Sequence, residues 1–251
     1  MKQVSVWGAV ICAVTSVGAA HGAVLYDGTI GTTPGAQGWT YLPLGATQTA
    51  PTLPGSPFTT FDSLSAFSVR GGYSQTAPVA LDRTTGYRLD WTFRVASESH
   101  NVPPATNGNN RAGVSLIAVG SDLQGIEVAF WENEVWVQNI GFTHGEGATF
   151  DTTAAQTDFS ITVFGTGYAI SANGTPLLSG ALRDYSAFGL PYNQPKFLFF
   201  GDNTTSAAGR FEWSRASVVV VPEAGTLPMG LGAGCLVFGI RGFCRRMTRR
   251  S

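Results

Sequence analysis

The chain has 251 residues, of which 43% are hydrophobic and 12% aromatic, enough to bury one sizeable core and too apolar for intrinsic disorder. With Gly 32 and Pro 13 against only 12% charged residues, it suits an all-β protein rich in turns better than a helical one, whose exposed faces need Lys and Glu. The formal net charge is -1, but Lys2 and five arginines lie at the two ends, so the stretch between them is acidic and offers no basic face to nucleic acid.

The N-terminal "MKQVSVWGAVICAVTSVGAAHGAVLYDG" carries one cation at Lys2, an apolar run from Val4 to Ala20, and small residues at Ala20, Gly22 and Ala23. That is the anatomy of a secretory signal peptide, here residues 1–23, with cleavage after Ala20, Gly22 or Ala23 fitting equally. The cysteines Cys12, Cys235 and Cys244 all lie in the end segments. The body therefore forms no disulfide, and thiol catalysis and zinc–cysteine sites are excluded from it.

From residue 24 to 220 the chain reads as strands forming one domain. In "GYRLDWTFRVASE", Tyr87, Leu89, Trp91, Phe93 and Val95 alternate with Arg88, Asp90, Thr92 and Arg94, so one face is buried and the other wet. Further strands are expected in "AGVSLIAVG", "GIEVAFW", "EVWVQN", "DFSITVFG", "GYAISAN", "KFLFFGD" and "RFEWSRASVVVV", each bounded by turn-forming residues. Hairpins are expected at Glu132-Asn133 and at Asn173-Gly174, where Asn-Gly supplies the positive φ of a type I′ turn. About a dozen short strands without helical periodicity imply a two-sheet antiparallel β-sandwich, a jelly roll. The stretches "DGTIGTTPGAQGWTYL", "NRAGVSLIAVGSDLQGIEVAFWENEVWVQN", "LLSGALRDYS" and "FFGDNTTSA" resemble concanavalin A-like jelly-roll domains, a fold that hosts many functions.

Catalytic signals are sparse. Retaining glycoside hydrolysis needs two carboxyls about 5 Å apart, whereas Glu127 and Glu132 differ by an odd number of residues and fall on opposite faces of a regular strand. These glutamates read as solvated rim charges. His100 and His144 stand in polar loops without a second ligand at metal spacing. Asp122, Asp202 and Asn203 are candidate calcium ligands, although Asp and Asn also cap turns by accepting backbone N–H bonds. Trp131, Trp136 and Asn133 cluster about one turn as candidate sugar contacts, since flat rings stack on pyranose faces, although Trp131 and Trp136 fit core positions better than a ligand platform. Trp39 and Tyr41 share a second face, while Trp91 and Trp213 fit core positions.

The tail, residues 221–251, begins "VPEAGTLPMGLGAG" and ends in basic residues. Its apolar run from Pro228 to Ile240 is shorter than the roughly 20 residues of a permanent span. Arg241, Arg245, Arg246, Arg249 and Arg250 behind it would hold that end on the cytoplasmic side. The "GLGAG" within this run follows no strand and is not a nucleotide loop. Together, Val221, Pro222, Glu223 and Ala224, the short apolar helix and the terminal arginines resemble the PEP-CTERM sorting signal recognised by exosortase. The third motif residue here is Ala224 instead of proline. The resemblance implies a transient inner-membrane anchor, processing near the Pro-Glu motif, and delivery to the bacterial cell envelope or the extracellular polysaccharide matrix. The expectation is an exported protein with no catalytic activity and no required cofactor, with a carbohydrate-binding module and a glycoside hydrolase as the alternatives.

Overall fold

The structure, a computed structural model, describes residues 22–100 and 110–221. Residues 1–21 of the expected signal segment, together with Pro222, Glu223, Ala224 and the arginines Arg241, Arg245, Arg246, Arg249 and Arg250 expected to form the sorting tail, lie outside the described residues, whereas Gly22 and Ala23 lie within the first strand. Among the described residues no helix is long and apolar enough to cross a membrane.

The strands in chain order are β1 (Gly22–Asp27), β2 (Thr40–Leu42), β3 (Thr47–Thr49), β4 (Thr59–Asp62), β5 (Gly71–Thr76), β6 (Tyr87–His100), β7 (Ser115–Val119) and β8 (Gln124–Phe130). There follow β9 (Glu134–Gln138), β10 (His144–Thr149), β11 (Thr157–Phe164), β12 (Gly167–Ala172), β13 (Thr175–Ala181), β14 (Arg183–Asp184), β15 (Phe197–Asp202) and β16 (Ala207–Val220). They form two antiparallel sheets. The first runs β13-β12-β11-β6-β16-β4-β3, with β1 also pairing β16; the second runs β10-β9-β8-β7-β15-β5-β2, with β14 on β8. This is the two-sheet sandwich expected from the strand pattern.

The alternation in β6 holds throughout: Tyr87, Leu89, Trp91, Phe93 and Val95 are all buried between the sheets. Trp91 and Trp213 lie parallel with ring centroids 6.3 Å apart, and Phe200 meets Trp213 edge-on at 5.2 Å. Each buried indole removes on the order of 200 Å² from water, about 5 kcal/mol of transfer free energy at the upper bound. Trp39 and Tyr41 also belong here and not to a sugar platform. Trp39 packs edge-on against Trp213 at 5.1 Å and donates Nε1–H to the Leu25 carbonyl at 2.8 Å, while Tyr41 stacks on Tyr73. In β16, a bulge between Trp213 and Arg215 shifts the register, so Trp213 and then Ala216 and Val218 face the core and Arg215 turns outward.

The β12–β13 hairpin turns through Asn173 and Gly174 with φ of 49° and 77°, the two positive values a type I′ turn requires. The β8–β9 hairpin closes around Glu132 and Asn133, with the Trp131 N–H donating to the Glu134 carbonyl at 2.9 Å. The two sheets differ on their outer faces. Arg88, Asp90, Thr92 and Arg94 line the outside of the first sheet. In the second sheet β7, β9 and β15 are buried on both faces over nearly their whole length, as is β8. Something must cover that outer face, and what covers it forms the candidate site.

Candidate functional site

Along β8, Ile126, Val128 and Phe130 point inward, so Gly125, Glu127 and Ala129 point outward. Opposite them on β9, Trp136 and Gln138 share that outer face, because Ala129 pairs with Trp136 and Val128 with Val137. The chain between β14 and β15 folds over this surface and brings Tyr185 and Tyr192 against Ile117, Val119, Phe197 and Phe199, with Phe142 packed beside them. The Tyr185 hydroxyl donates to the Gln138 carbonyl. The Gln138 amide donates in turn to the carbonyls of Asn110 at 2.9 Å and Thr143 at 3.0 Å, pinning two loops to the sheet.

Glu127 is fully buried, contrary to its reading as a solvated rim charge. A carboxylate in that position must be paired and hydrogen-bonded, and both oxygens are. Oε2 accepts from the Tyr192 hydroxyl at 2.6 Å; Oε1 accepts from Asn203 Nδ2 at 3.1 Å and from Arg111 Nη2 at 3.3 Å. Asn203 closes the ring, accepting from Arg111 Nη2 at 2.9 Å and donating to the Tyr192 oxygen at 3.1 Å. Burial and the adjacent Glu127 carboxylate push the Tyr192 hydroxyl far above its ordinary pKa, so it stays a proton donor. The Arg111 guanidinium also lies over the Phe142 ring, 4.6 Å from its centroid.

Above this floor opens a cleft of about 300 Å³, lined by Arg70, Arg111, Phe142, Leu190, Tyr192 and Asn203, with Thr204 and Thr205 at its edge. Phe142 has φ of 61°, a left-handed conformation that a bulky residue adopts only when its surroundings impose it. Contacts with Phe188 at 4.7 Å and Tyr192 at 5.6 Å hold its ring on the cleft wall.

Beside the cleft, four rings form a ladder. His100 stacks on Trp131 at 4.1 Å, Trp131 meets Trp136 at 5.2 Å, and Trp136 stacks on His144 at 4.4 Å. His100 and His144, isolated in the sequence, are thus brought together, and each faces a carboxylate: Glu98 at 2.7 Å and Glu134 at 3.2 Å. Of the candidate sugar contacts, Trp136 is fully buried, Trp131 is half-buried with Nε1–H donating to the Arg111 carbonyl at 2.9 Å, and Asn133 is exposed at the β8–β9 turn.

The candidate calcium ligands do not share a site. Asp122 lies in the turn after β7 and pairs with Arg83 at 2.6 Å, whereas Asp202 and Asn203 lie at the end of β15 that adjoins the start of β7. Asp202 is buried, accepts from Ser63 Oγ at 2.7 Å and from the Thr204 N–H at 3.0 Å, and burial pushes its carboxyl up to about 7. Among the described residues no three His, Cys, Asp or Glu side chains gather at metal-binding distance.

No family model matches the chain, and no curated protein does. Solved structures do. A carbohydrate esterase from the Shiga toxin-encoding bacteriophage phi24B is similar at a TM-score of 0.51 and 14% identity, over 74% of this chain and 91% of that one. A Bacillus subtilis protein of unknown function with a galectin-like fold gives 0.48 and 10% identity over 79% and 97%, and the metal-free carbohydrate recognition domain of Emp46p gives 0.45 and 10% over 78% and 94%. At these identities the likeness is one of fold.

Glu127, Arg111, Tyr192 and Asn203 were not legible together as a site, because they come from four separate segments. The signal that could have found them is a carboxylate inside "GIEVAF", an otherwise apolar strand of the kind buried on both faces.

Proposed function

We propose that this chain is an exported, non-catalytic glycan-binding protein of the bacterial cell envelope or extracellular matrix, with its binding site in the cleft above Glu127. The observation that carries the reading is the composition of that cleft. Flat and apolar surfaces at Phe142, Leu190 and Tyr192 stand beside the polar side chains of Arg70, Arg111 and Asn203. Apolar walls with a few convergent polar groups are what a sugar, with its apolar ring faces and hydroxyl edges, requires.

Two features support a binding role over hydrolysis. The cleft lining contains no carboxylate, and Glu127 beneath it spends both oxygens on internal hydrogen bonds. Among the described residues no serine hydroxyl is hydrogen-bonded to a histidine ring, the arrangement that nucleophilic ester cleavage uses.

A glycan array combined with a screen for released sugars tests both halves. The full protein should retain at least one glycan and release no product, and Phe142→Ala should weaken retention by removing the cleft wall. Product release refutes the non-catalytic reading, and retention unaffected by Phe142→Ala places the site elsewhere. The export and sorting part of the reading rests on the signal-like first 23 residues and on the resemblance of residues 221–251 to an exosortase substrate. Mass spectrometry of the mature protein tests it: a C-terminus near Glu223 or Ala224 is expected, and recovery of the chain through Ser251 from cells possessing an exosortase overturns it.

A further inference from the structure

We infer that the glycan taken by this cleft is anionic, bearing carboxylate or sulfate groups, and that Arg70 and Arg111 together receive the charge. The inference rests on the glycan-binding reading and adds the chemical class of the ligand. The charge pattern is the first argument. The described body is acidic overall, yet two arginines line this cleft and no carboxylate does. An anion approaching the molecule therefore meets a local positive site on a repelling surface, an arrangement that selects where it binds.

The unused hydrogen-bonding capacity of the two arginines is the second argument. A guanidinium carries five N–H donors in a rigid fork. Arg111 directs only Nη2 to protein acceptors, Glu127 and Asn203; among the described residues its Nε and Nη1 donate to none. Its position is nevertheless fixed, since the guanidinium lies over Phe142 and its backbone carbonyl accepts from Trp131. It presents free donors without having to be ordered first, which lowers the entropic cost of binding. Arg70 is exposed on the same cleft and makes no ion pair among the described residues. By contrast Arg83, Arg88, Arg94, Arg183 and Arg210 each pair with a carboxylate, and Arg111 itself pairs with the buried Glu127 at 3.3 Å. Arg70, on the cleft without an acid partner, and the unspent Nε and Nη1 of Arg111 fit the bidentate recognition of a carboxylate or sulfate oxygen pair.

The experiment is affinity electrophoresis of the full protein in gels containing polygalacturonate, dextran sulfate or neutral mannan, with Arg70→Gln as the main variant. Arg70 is exposed, so this change leaves the core and the Glu127 ring intact. Arg88→Gln, on the outer face of the opposite sheet, controls for non-specific charge. Retardation by at least one anionic polymer is expected, weakening with salt, falling about five- to tenfold in Arg70→Gln and unchanged in Arg88→Gln. The more strongly retarding polymer distinguishes carboxylate from sulfate ester as the source of the charge. Retardation by mannan alone, indifferent to Arg70→Gln, overturns the anionic class while leaving glycan binding in place. Equal losses in Arg70→Gln and Arg88→Gln overturn the assignment to this cleft. No retardation by any of the three polymers, and none on a glycan array, overturns the glycan-binding reading and this inference with it.

Discussion

Replacing Asp202 by Asn should stabilise the protein, and the gain should grow with pH. Asp202 is 1% exposed, and its carboxyl titrates near 7 in the folded chain because burial penalises the charge. In the unfolded chain the same group titrates near about 3.9. Below about pH 4 both states hold the proton, so the fold keeps its full stability; as pH rises toward and through 7 the unfolded state releases the proton more readily and that stability is lost. The loss is roughly 1.5 kcal/mol at pH 5 and about 4 kcal/mol at pH 8. Asparagine reproduces the protonated form. Its oxygen can accept from the Thr204 N–H, and its NH₂ can donate to Ser63 Oγ, which then donates to the Gly209 carbonyl at 3.2 Å. From pH 5 to pH 8 the advantage of Asp202→Asn should thus widen by about 2.5 kcal/mol, read as a growing gap in urea midpoints at constant m-value. A gap that stays constant with pH, or wild type overtaking the variant at pH 8, would show that the fold uses Asp202 as an anion, held by Arg111, and refute the reasoning.

Removing the Tyr192 hydroxyl with Tyr192→Phe takes from Glu127 Oε2 its one donor among the described residues and should cost about 1–3 kcal/mol in urea unfolding; an unchanged midpoint would mean that water replaces the hydroxyl. A Cβ on Gly113 would stand 2.0 Å from the Ala208 backbone carbonyl carbon, so Gly113→Ala should lower the melting temperature by several degrees, and a neutral effect would contradict the close approach of the segment before β7 to β16. Calcium should leave the melting temperature where a chelator leaves it, because Asp122 is engaged by Arg83 and separated from Asp202; a rise with calcium concentration would instead establish a ligand set that includes Asp202 and Asn203.

What the sequence reveals here follows from the range over which each feature is determined. The β6 alternation and the Asn173-Gly174 turn are local: period 2 and a positive φ are properties of adjacent residues, and both appear in the fold as read. The β16 bulge is one step less local. Strict alternation from Trp213 would put Arg215 on the core face, and only the pairing with β6 shows the inserted residue that turns it outward. The site is less local still. Glu127, Arg111, Tyr192 and Asn203 lie on β8, on the approach to β7, in the β14–β15 connection and after β15, and sequence spacing carries no trace of that convergence.

Residue type misled in one direction only. Glutamate is nearly always exposed, so residue type alone places Glu127 on the rim. Strand parity sets Glu127 and Glu132 on opposite faces without saying which is which, and in the fold Glu127 lies on the face turned away from the core. It could not say that a second layer of chain lay on the outer face, and that layer is what converts an outward carboxylate into a buried one with three donors. The warning lay in "SLIAV" and "FLFFGD", whose unbroken apolar character has no wet side to offer. In an antiparallel sandwich a strand without polar alternation requires cover on both faces, and a charged residue in its neighbour must then find its partners within that cover. Applied to this chain, that reasoning leads from β7 and β15 to the β14–β15 connection, and from Glu127 to the cleft.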